Sequence, residues 1–496
     1  MRLPCILALA GLFAVNAFAE KPNIVFILAD DLGYRELGSY GQEKIKTPRL
    51  DELAGEGMRF TRAYSGNAVC APSRCVLMTG KHPGHAVVRS NLGMKPEGQY
   101  PIPETEVTIA ELLKEQGYTC GAFGKWGLGN TESEGNPNKQ GFDRFFGYNC
   151  QAHAHSYYPA TLWSDNKRIS LNNDPEVPGH GSIPKGLDPA DPASYAMFKG
   201  TDYAPDRINE QALAFIRKNK DGPFFLYYPS VIPHVALHVP DEELEPYLAQ
   251  EWNDPPFTRN GGYGYTPHFT PRAAYAAMIT RLDTYVGRVL DLIEELGEAD
   301  NTIVIFTSDN GTTHLKDEVD YDFFASVGEL RGLKGELYEG GIRVPQIVRW
   351  PGKVEAGSIT DVVTGFEDWM PTLLGLIGDE GATPKGIDGI SIVPALLGEE
   401  QPERDFLYRE FTGYGGQQAV YLGQKWKGIR SDLLRGNPKA DPLQIELYDL
   451  ESDPSESKNV AAEHPDIVKQ IEGLMKSEHT NSEVFPIPVI DELTAN

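Results

Sequence analysis

The sequence predicts an open α/β sheet, and three observations predict it: short apolar runs that end in acidic residues, helical patterns between them, and Gly or Asn at the helix ends. Asn23 to Ala29 (NIVFILA) stops at Asp30 and Asp31, and Thr302 to Thr307 (TIVIFT) stops just short of Asp309 and Asn310. Continuous rather than alternating apolarity marks strands buried on both faces, as in parallel sheets. Helical patterns run from Pro48 to Gly57, Thr108 to Gly117, Ala204 to Asn219 and Arg272 to Leu296. Sheets of this kind bind ligands beyond the carboxyl ends of their strands, where both acidic clusters fall.

The N-terminus carries Arg2, an apolar stretch from Leu3 to Phe18, and small residues at Ala17 and Ala19 before Glu20. That layout reads as a signal peptide over residues 1–19, so the mature chain is expected to be exported, either periplasmic or extracellular. No later apolar run is long enough to span a bilayer, so no stable membrane insertion is expected. Cys70, Cys75, Cys120 and Cys150 remain in a chain long enough to bury its own core, and they do not form a disulfide framework. With 45 basic and 71 acidic residues the net charge is −26, which opposes nucleic-acid binding. An acidic protein that handles an anion must gather Arg, Lys, His or a metal locally.

Residues 20–395 read as the main domain, and 396–496 as a smaller α+β subdomain. In the latter, Gln418 to Leu422, Trp426 to Arg430 and Glu446 to Leu450 pattern as short strands, followed by a helix from Pro465 to Glu478. Gly147 to Tyr203 and Trp252 to Pro271, rich in Pro, Asn, Asp and aromatics, read as loops lining a cleft.

Cys70-Ala71-Pro72-Ser73-Arg74 continues as CVLMTG through Gly80. Pro72 suits a first helical turn, and the exposed amides of a helix start favour an anion beside Cys70. A buried free cysteine is the plain alternative, and Cys75 is read that way. The segment resembles the CxPSR signature of type I sulfatases in the alkaline-phosphatase superfamily. The resemblance spans about Lys21 to Pro394 and weakens through Glu446 to Asn459. It implies a central mixed, mostly parallel sheet flanked by helices, with a smaller C-terminal subdomain. It also implies that a maturation enzyme oxidises Cys70 to formylglycine (3-oxoalanine), whose hydrate attacks the sulfur of a sulfate ester.

Asp30, Asp31, Asp309 and Asn310 make an oxygen-only donor set suited to a hard cation, Ca²⁺ or Mg²⁺. Caps and turns are the commoner fate of single Asp residues. The resemblance favours Ca²⁺, with the residue at Cys70 facing it. Gly124 to Gly129 (GKWGLG) is similar to the family's GKWxLG, which makes Lys125 a contact of nucleophile and sulfate. Many members carry His where this chain has Gly127; His155 is read as the replacement and His153 as its rival, with loop roles open for both. Pro233-His234, after the apolar run Phe224 to Tyr228, resembles the family's active-site Pro-His, and the resemblance implies that His234 protonates the leaving oxygen. LRGLKGELYEGGIRVP, from Leu330 to Pro345, is close to KxxxYEGGxRxP and makes Lys334 catalytic, with Arg74 and Lys125 as further sulfate neutralisers.

For the rest of the substrate, Arg89, Asn91, His153, His314 and Arg331 are candidates for sugar hydroxyls or a nearby acid, and loop-fixing bonds are their alternative. Tyr157, Tyr158, Trp163 and Tyr203 offer faces for sugar rings or for core packing. The expected substrate is a sulfated oligo- or polysaccharide. A phosphoester or phosphonate hydrolase of the same superfamily is the first rival reading, and a non-catalytic sulfated-glycan binder the second.

Overall fold

A computed structural model describes residues 21–259, 264–434 and 441–494; the expected signal peptide lies outside the described residues. The main sheet is built from β1 (Asn23–Ala29), β2 (Met58–Tyr64), β3 (Thr119–Lys125), β4 (Arg144–Tyr148), β5 (Thr161–Ser164) and β6 (Lys167–Ser170). It is completed by β7 (Phe224–Pro229), β8 (Thr302–Ser308), β9 (Arg343–Arg349), β10 (Ser358–Thr360) and β11 (Thr364–Gly365). Its order is β10-β2-β9-β8-β1-β7-β3-β4-β5-β6, with β11 beside β2. The five strands from β8 to β4 run parallel, and β9 lies antiparallel to both β8 and β2.

β1 lies at the centre and shows why its residues are apolar without alternation. Val25 and Ile27 pack with the helices Ala204–Asn219 and Pro271–Glu295 on one face, while Ile24, Phe26 and Leu28 pack with Cys70–Thr79 and Trp369–Leu376 on the other. Each such side chain contributes about 1.5–3 kcal/mol by leaving water. One change of Ile27 to a charged residue would bury an unpaired charge in the middle of the sheet.

The segment Gly147 to Tyr203 is not all loop. It contains β5 and β6, a hairpin that extends the sheet edge, and a 3-10 turn over Pro192–Phe198. β6 is exposed along its length, so no apolar alternation announces it. The turn is fixed instead by Asp165, whose φ of 53° is the left-handed value a two-residue hairpin loop needs.

A second sheet joins β12 (Phe406–Phe411), β13 (Gln417–Leu422), β14 (Trp426–Arg430) and β15 (Glu446–Asp449) in antiparallel order. Ile471 and Met475 of the helix Pro465–Ser477 cover one face against Tyr408, Val420 and Leu447. β12 has no strand signature in the sequence because Arg409 and Glu410 interrupt it. Both are buried by pairing, Arg409 with Glu367 at 2.8 Å and Glu410 with His479 at 2.6 Å. Cys70, Cys75, Cys120 and Cys150 are all free and buried. Among the described residues no helix is long and apolar enough to cross a membrane.

Candidate active site

Parallel register brings the acidic clusters together. Ala29 pairs with Ser308, so the next residues along, Asp30 and Asp309, leave the sheet side by side. Asp31 turns away with a φ of 67°, a conformation that costs a non-glycine residue about 1–3 kcal/mol and collects at functional sites. Its N–H donates to Asp309 Oδ1 at 3.2 Å. On the other side of β1, Asp30 N–H donates to Ile232 O at 3.0 Å, which fixes the loop that carries His234. β3 ends on Lys125, and the helix Cys70–Thr79 starts with Cys70 over the same edge, after Val69 in an extended conformation without a side-chain cap. Asn91 serves that helix start from a distance, its Oδ1 accepting from Ala71 N–H at 3.1 Å.

The side chains converge. Lys125 Nζ lies 2.6 Å from Asp30 Oδ2 and 3.3 Å from Cys70 Sγ, and Sγ lies 3.5 Å from Asp30 Oδ1. Arg74 reaches Asp309 Oδ2 through Nε at 3.0 Å and a terminal nitrogen at 2.8 Å; that nitrogen is 3.3 Å from Asp30 Oδ2. The other terminal nitrogen donates to the Lys125 carbonyl. Lys334 Nζ donates to Asp31 Oδ2 at 2.7 Å, and Asn310 Nδ2 to Asp31 Oδ1 at 2.8 Å. His234 donates from Nδ1 to Val235 O and turns Nε2 inward, 3.7 Å from Asp31 Oδ2. All of these residues are buried.

By formal count, three carboxylates and three cations face one another here. Burial favours the neutral acids, yet the cations Lys125 and Arg74 hold Asp30 well below the usual carboxylate range. Burial wins at Asp309, pushed up to about 7 with Asp30 as the next cause, and Asp31 is raised for the same first reason. Lys125 and Lys334 overcome burial through Asp30 and Asp31 and stay firmly charged. Burial, then Asp30, pushes the Cys70 thiol up to about 11, so the unmodified group stays protonated and a weak nucleophile at neutral pH. His234 is held neutral by burial and by Lys334.

A hard cation fits this pocket. One ligand atom each from Asp30, Asp31, Cys70 and His234 lies within 4.8 Å of the others, and the Asn310 Oδ1 acceptor is buried without a hydrogen-bond donor. The oxygens of Asp30, Asp31, Asp309 and Asn310 are the donors such an ion takes.

Of the two candidate replacement histidines, His155 is brought to the site. It stacks on His234 with ring centroids 5.0 Å apart and planes 8° from parallel, and its Nδ1 lies 2.8 Å from His180 Nε2. His153 instead faces Glu97, with Nδ1 3.5 Å from Oε1. Gly127 has a φ of 80°, and a Cβ there would stand 2.3 Å from Gln151 Nε2. Gln151, whose amide nitrogen and oxygen are buried without partners, therefore occupies the space a side chain at 127 would need. Sequence patterning holds no signal for Gln151, which sits on a four-residue helix turn.

Several substrate candidates take the other role left open for them. Arg89 is buried and spends its donors on Ala86 O, Glu410 and Thr480, so it ties loops together and does not face the reactive centre. Tyr157, Tyr158 and Tyr203 are core residues, at most 5% exposed, and present no face to a sugar. Trp163 packs under Arg168 and donates to Glu97 Oε1 at 2.6 Å. His314 and Arg331 do border a cavity of about 470 Å³ next to Lys334. Tyr414, which no sequence motif singles out, lines the same cavity from the β12–β13 connection.

The chain matches the Sulfatase family over residues 22–379 and the family described as N-sulphoglucosamine sulphohydrolase, C-terminal, over residues 333–481. It is 31% identical over 513 residues to an N-acetylgalactosamine-6-O-sulfatase of Bacteroides thetaiotaomicron, covering 93% of this chain and 94% of that one. Among solved structures, Ps i-CgsB in complex with k-i-k-neocarrahexaose superposes with a TM-score of 0.72 at 27% identity, over 92% of this chain and 93% of that one. The phosphonate monoester hydrolase of Agrobacterium radiobacter, at 21% identity and a TM-score of 0.62 over 94% and 99% of the two chains, shares the fold.

Proposed function

The chain belongs to the sulfatase family and is a sulfuric ester hydrolase, and from that premise we propose that it removes sulfate from a sulfated carbohydrate, using a nucleophile made from Cys70. The observation that carries the reading is the convergence of Cys70, Arg74, Lys125 and Lys334 on a buried carboxylate cluster. The carbohydrate substrate is supported by the names of the relatives, one an N-acetylgalactosamine-6-O-sulfatase and one a complex with a neocarrahexaose.

Oxidation of Cys70 to formylglycine would supply, as its hydrate, the oxygen nucleophile that a thiol held up at about 11 does not offer. A calcium ion held by Asp30, Asp31, Asp309 and Asn310 would supply Lewis-acid polarisation of that oxygen and of the sulfate. Because the three cations already match the three carboxylates in number, a dication would turn the pocket positive, the sign an anionic ester requires. Arg74 and Lys125 hold the nucleophile's end of the site, and Lys334 stands opposite, where it binds a sulfate oxygen and the bridging oxygen as charge develops. His234 keeps its ring oriented by donating from Nδ1 to Val235 O, which leaves Nε2 bare in the neutral ring, free to take up and pass on a proton. The neutral imidazole gains a proton once the ester brings negative charge beside it, and hands it to the leaving alcohol. His155, stacked on His234 and bonded to His180, limits how that ring turns. We assign the chain, on its N-terminal pattern, to a compartment outside the cytoplasm.

The test is sulfate release from sulfated sugars and from an aryl sulfate by protein co-expressed with a formylglycine-generating enzyme. Release that a chelator abolishes, calcium restores and Cys70→Ala eliminates is the expected result. No release from any ester, phosphonate hydrolysis in its place, or full activity in Cys70→Ala would overturn the reading.

A further inference from the structure

The two aromatic-rich segments, Gly147 to Tyr203 and Trp252 to Pro271, meet beside His234. His180 and Tyr265 pair as an isolated antiparallel bridge, closed on either side by Gly181 N–H donating to Gly264 O at 3.0 Å and Thr266 N–H donating to Gly179 O at 3.1 Å. Their rings stack with centroids 4.5 Å apart and planes 27° from parallel. Tyr265 also meets His155 at 5.1 Å and His234 at 5.8 Å, edge to face in both contacts. Backbone and ring are thus held in place before any ligand arrives, which lowers the entropy lost on binding one.

The hydroxyl is less settled than the ring. It lies 3.5 Å from His155 Nε2, long for an O–H···N bond. Burial raises the phenol above its ordinary range, so it keeps its proton at neutral pH, and Lys334, Asp31 and Cys70 are the groups it senses next. Its neighbours give its place in the reaction. His234, which its ring touches, protonates the leaving oxygen, and Lys334 binds that same oxygen as charge develops. The phenol therefore stands on the side of the leaving group, where the sugar that carries the ester lies.

We propose that Tyr265 is a specificity-determining residue, whose hydroxyl binds one free hydroxyl of the sulfated sugar close to the ester. The proposal rests on the sulfatase reading above and sharpens it. A phenol and a sugar hydroxyl each donate one hydrogen bond and accept others, so the two pair whichever ring nitrogen of His155 carries the proton. A sugar that lacks the hydroxyl leaves the phenol with only its long contact to His155, and that loss is what separates one ring from the other.

The experiment uses the matured, calcium-loaded enzyme with the monosulfated sugar it hydrolyses best, the set of that sugar's monodeoxy analogues, and an aryl sulfate. Tyr265→Phe keeps the ring and its stacking, and is expected to lower kcat/KM for the parent sugar about three- to tenfold, the scale of one neutral hydrogen bond. With one analogue the wild type is expected to fall by a similar factor, and Tyr265→Phe to add about twofold or less to that fall, because the partner is already gone. With the other analogues the substitution should cost as much as it does with the parent. An unchanged kcat/KM for the parent sugar in Tyr265→Phe would overturn the proposal. So would equal losses on the parent, every analogue and the aryl sulfate, which is what a merely structural role gives. Failure of the wild type to release sulfate from any of these esters would strike the sulfatase reading beneath it, a different outcome from a loss shared by all substrates.

Discussion

Lys427→Met should cost about 3 kcal/mol of stability and loosen the segment that carries Lys334. Lys427 comes from β14, is fully buried, and reaches Glu339 Oε1 at 3.0 Å and Glu456 Oε1 at 2.7 Å. Glu339 opens the short turn after Tyr338 and is further held by Tyr64 at 2.9 Å and Tyr421 at 2.6 Å, so one carboxylate ties the main sheet to the second one. Burial raises the Glu339 pKa, but Lys427 first and then Arg343 bring it down to about 2, against 4.5 for a free side chain. A drop of that size is worth about 3 kcal/mol at neutral pH, at about 1.4 kcal/mol per unit. Breaking a buried pair by deleting one partner costs about 3–5 kcal/mol, so the two routes agree. The folded pKa is the depressed one, so this stabilisation is present above pH 4.5 and is lost as the pH falls toward 2. Urea unfolding of wild type and Lys427→Met should therefore show the full gap at pH 7 and a shrinking one below 4.5, with faster amide exchange over residues 330–345 in the variant. A gap under about 1 kcal/mol at pH 7, or one that persists in acid, would refute the reasoning.

Three other expectations rest on single residues. Glu36 is buried with no cation beside it among the described residues, accepts from Gly33 N–H and Tyr275, and is pushed up to about 7 by burial, so its ionisation destabilises the fold as the pH rises from 4.5 to 7; Glu36→Gln should gain up to about 3 kcal/mol at pH 8 and nothing at pH 4 in thermal or urea unfolding. Gly127→Ala should lose at least about 1–2 kcal/mol, from the left-handed backbone and the clash with Gln151, and Gln151→Ala in the same chain should return the clash part alone, as a double-mutant cycle on unfolding would show. Asp309→Asn should weaken calcium binding measured by calorimetry and slow sulfate release by about a hundredfold or more, since it removes a negative charge from the site and weakens the acceptor, Oδ2, that takes two Arg74 nitrogens.

Much of this architecture is legible in the amino-acid sequence. β1 and β8 announce themselves because strands buried on both faces must be apolar throughout, and their ends announce the site because a parallel sheet aligns the residues just beyond its strands. Cys70, Arg74, Lys125 and Lys334 sit within local motifs, so their identity is legible although their mutual distances are not. The misread residues share one cause. Arg89 looks like a free cation until Glu410 and Thr480 arrive from more than three hundred residues away, and β12 looks unlike a strand until Glu367 and His479 neutralise its charges. Tyr414 and Gln151 carry no local pattern, since each matters only through a glycine it rests against, Gly335 or Gly127. For Tyr157 and Tyr203 the sequence leaves sugar stacking and core packing open, because an aromatic-rich segment with turn residues suits both, and their rings fill the core.

The most direct measurement is mass spectrometry of the peptide spanning residue 70, taken from the same preparation whose sulfate release is assayed. The expected result is a mass lowered by the difference between a thiol-bearing carbon and an aldehyde, in a proportion that tracks specific activity across preparations matured to different extents. A fully active preparation that carries the unmodified cysteine would contradict it.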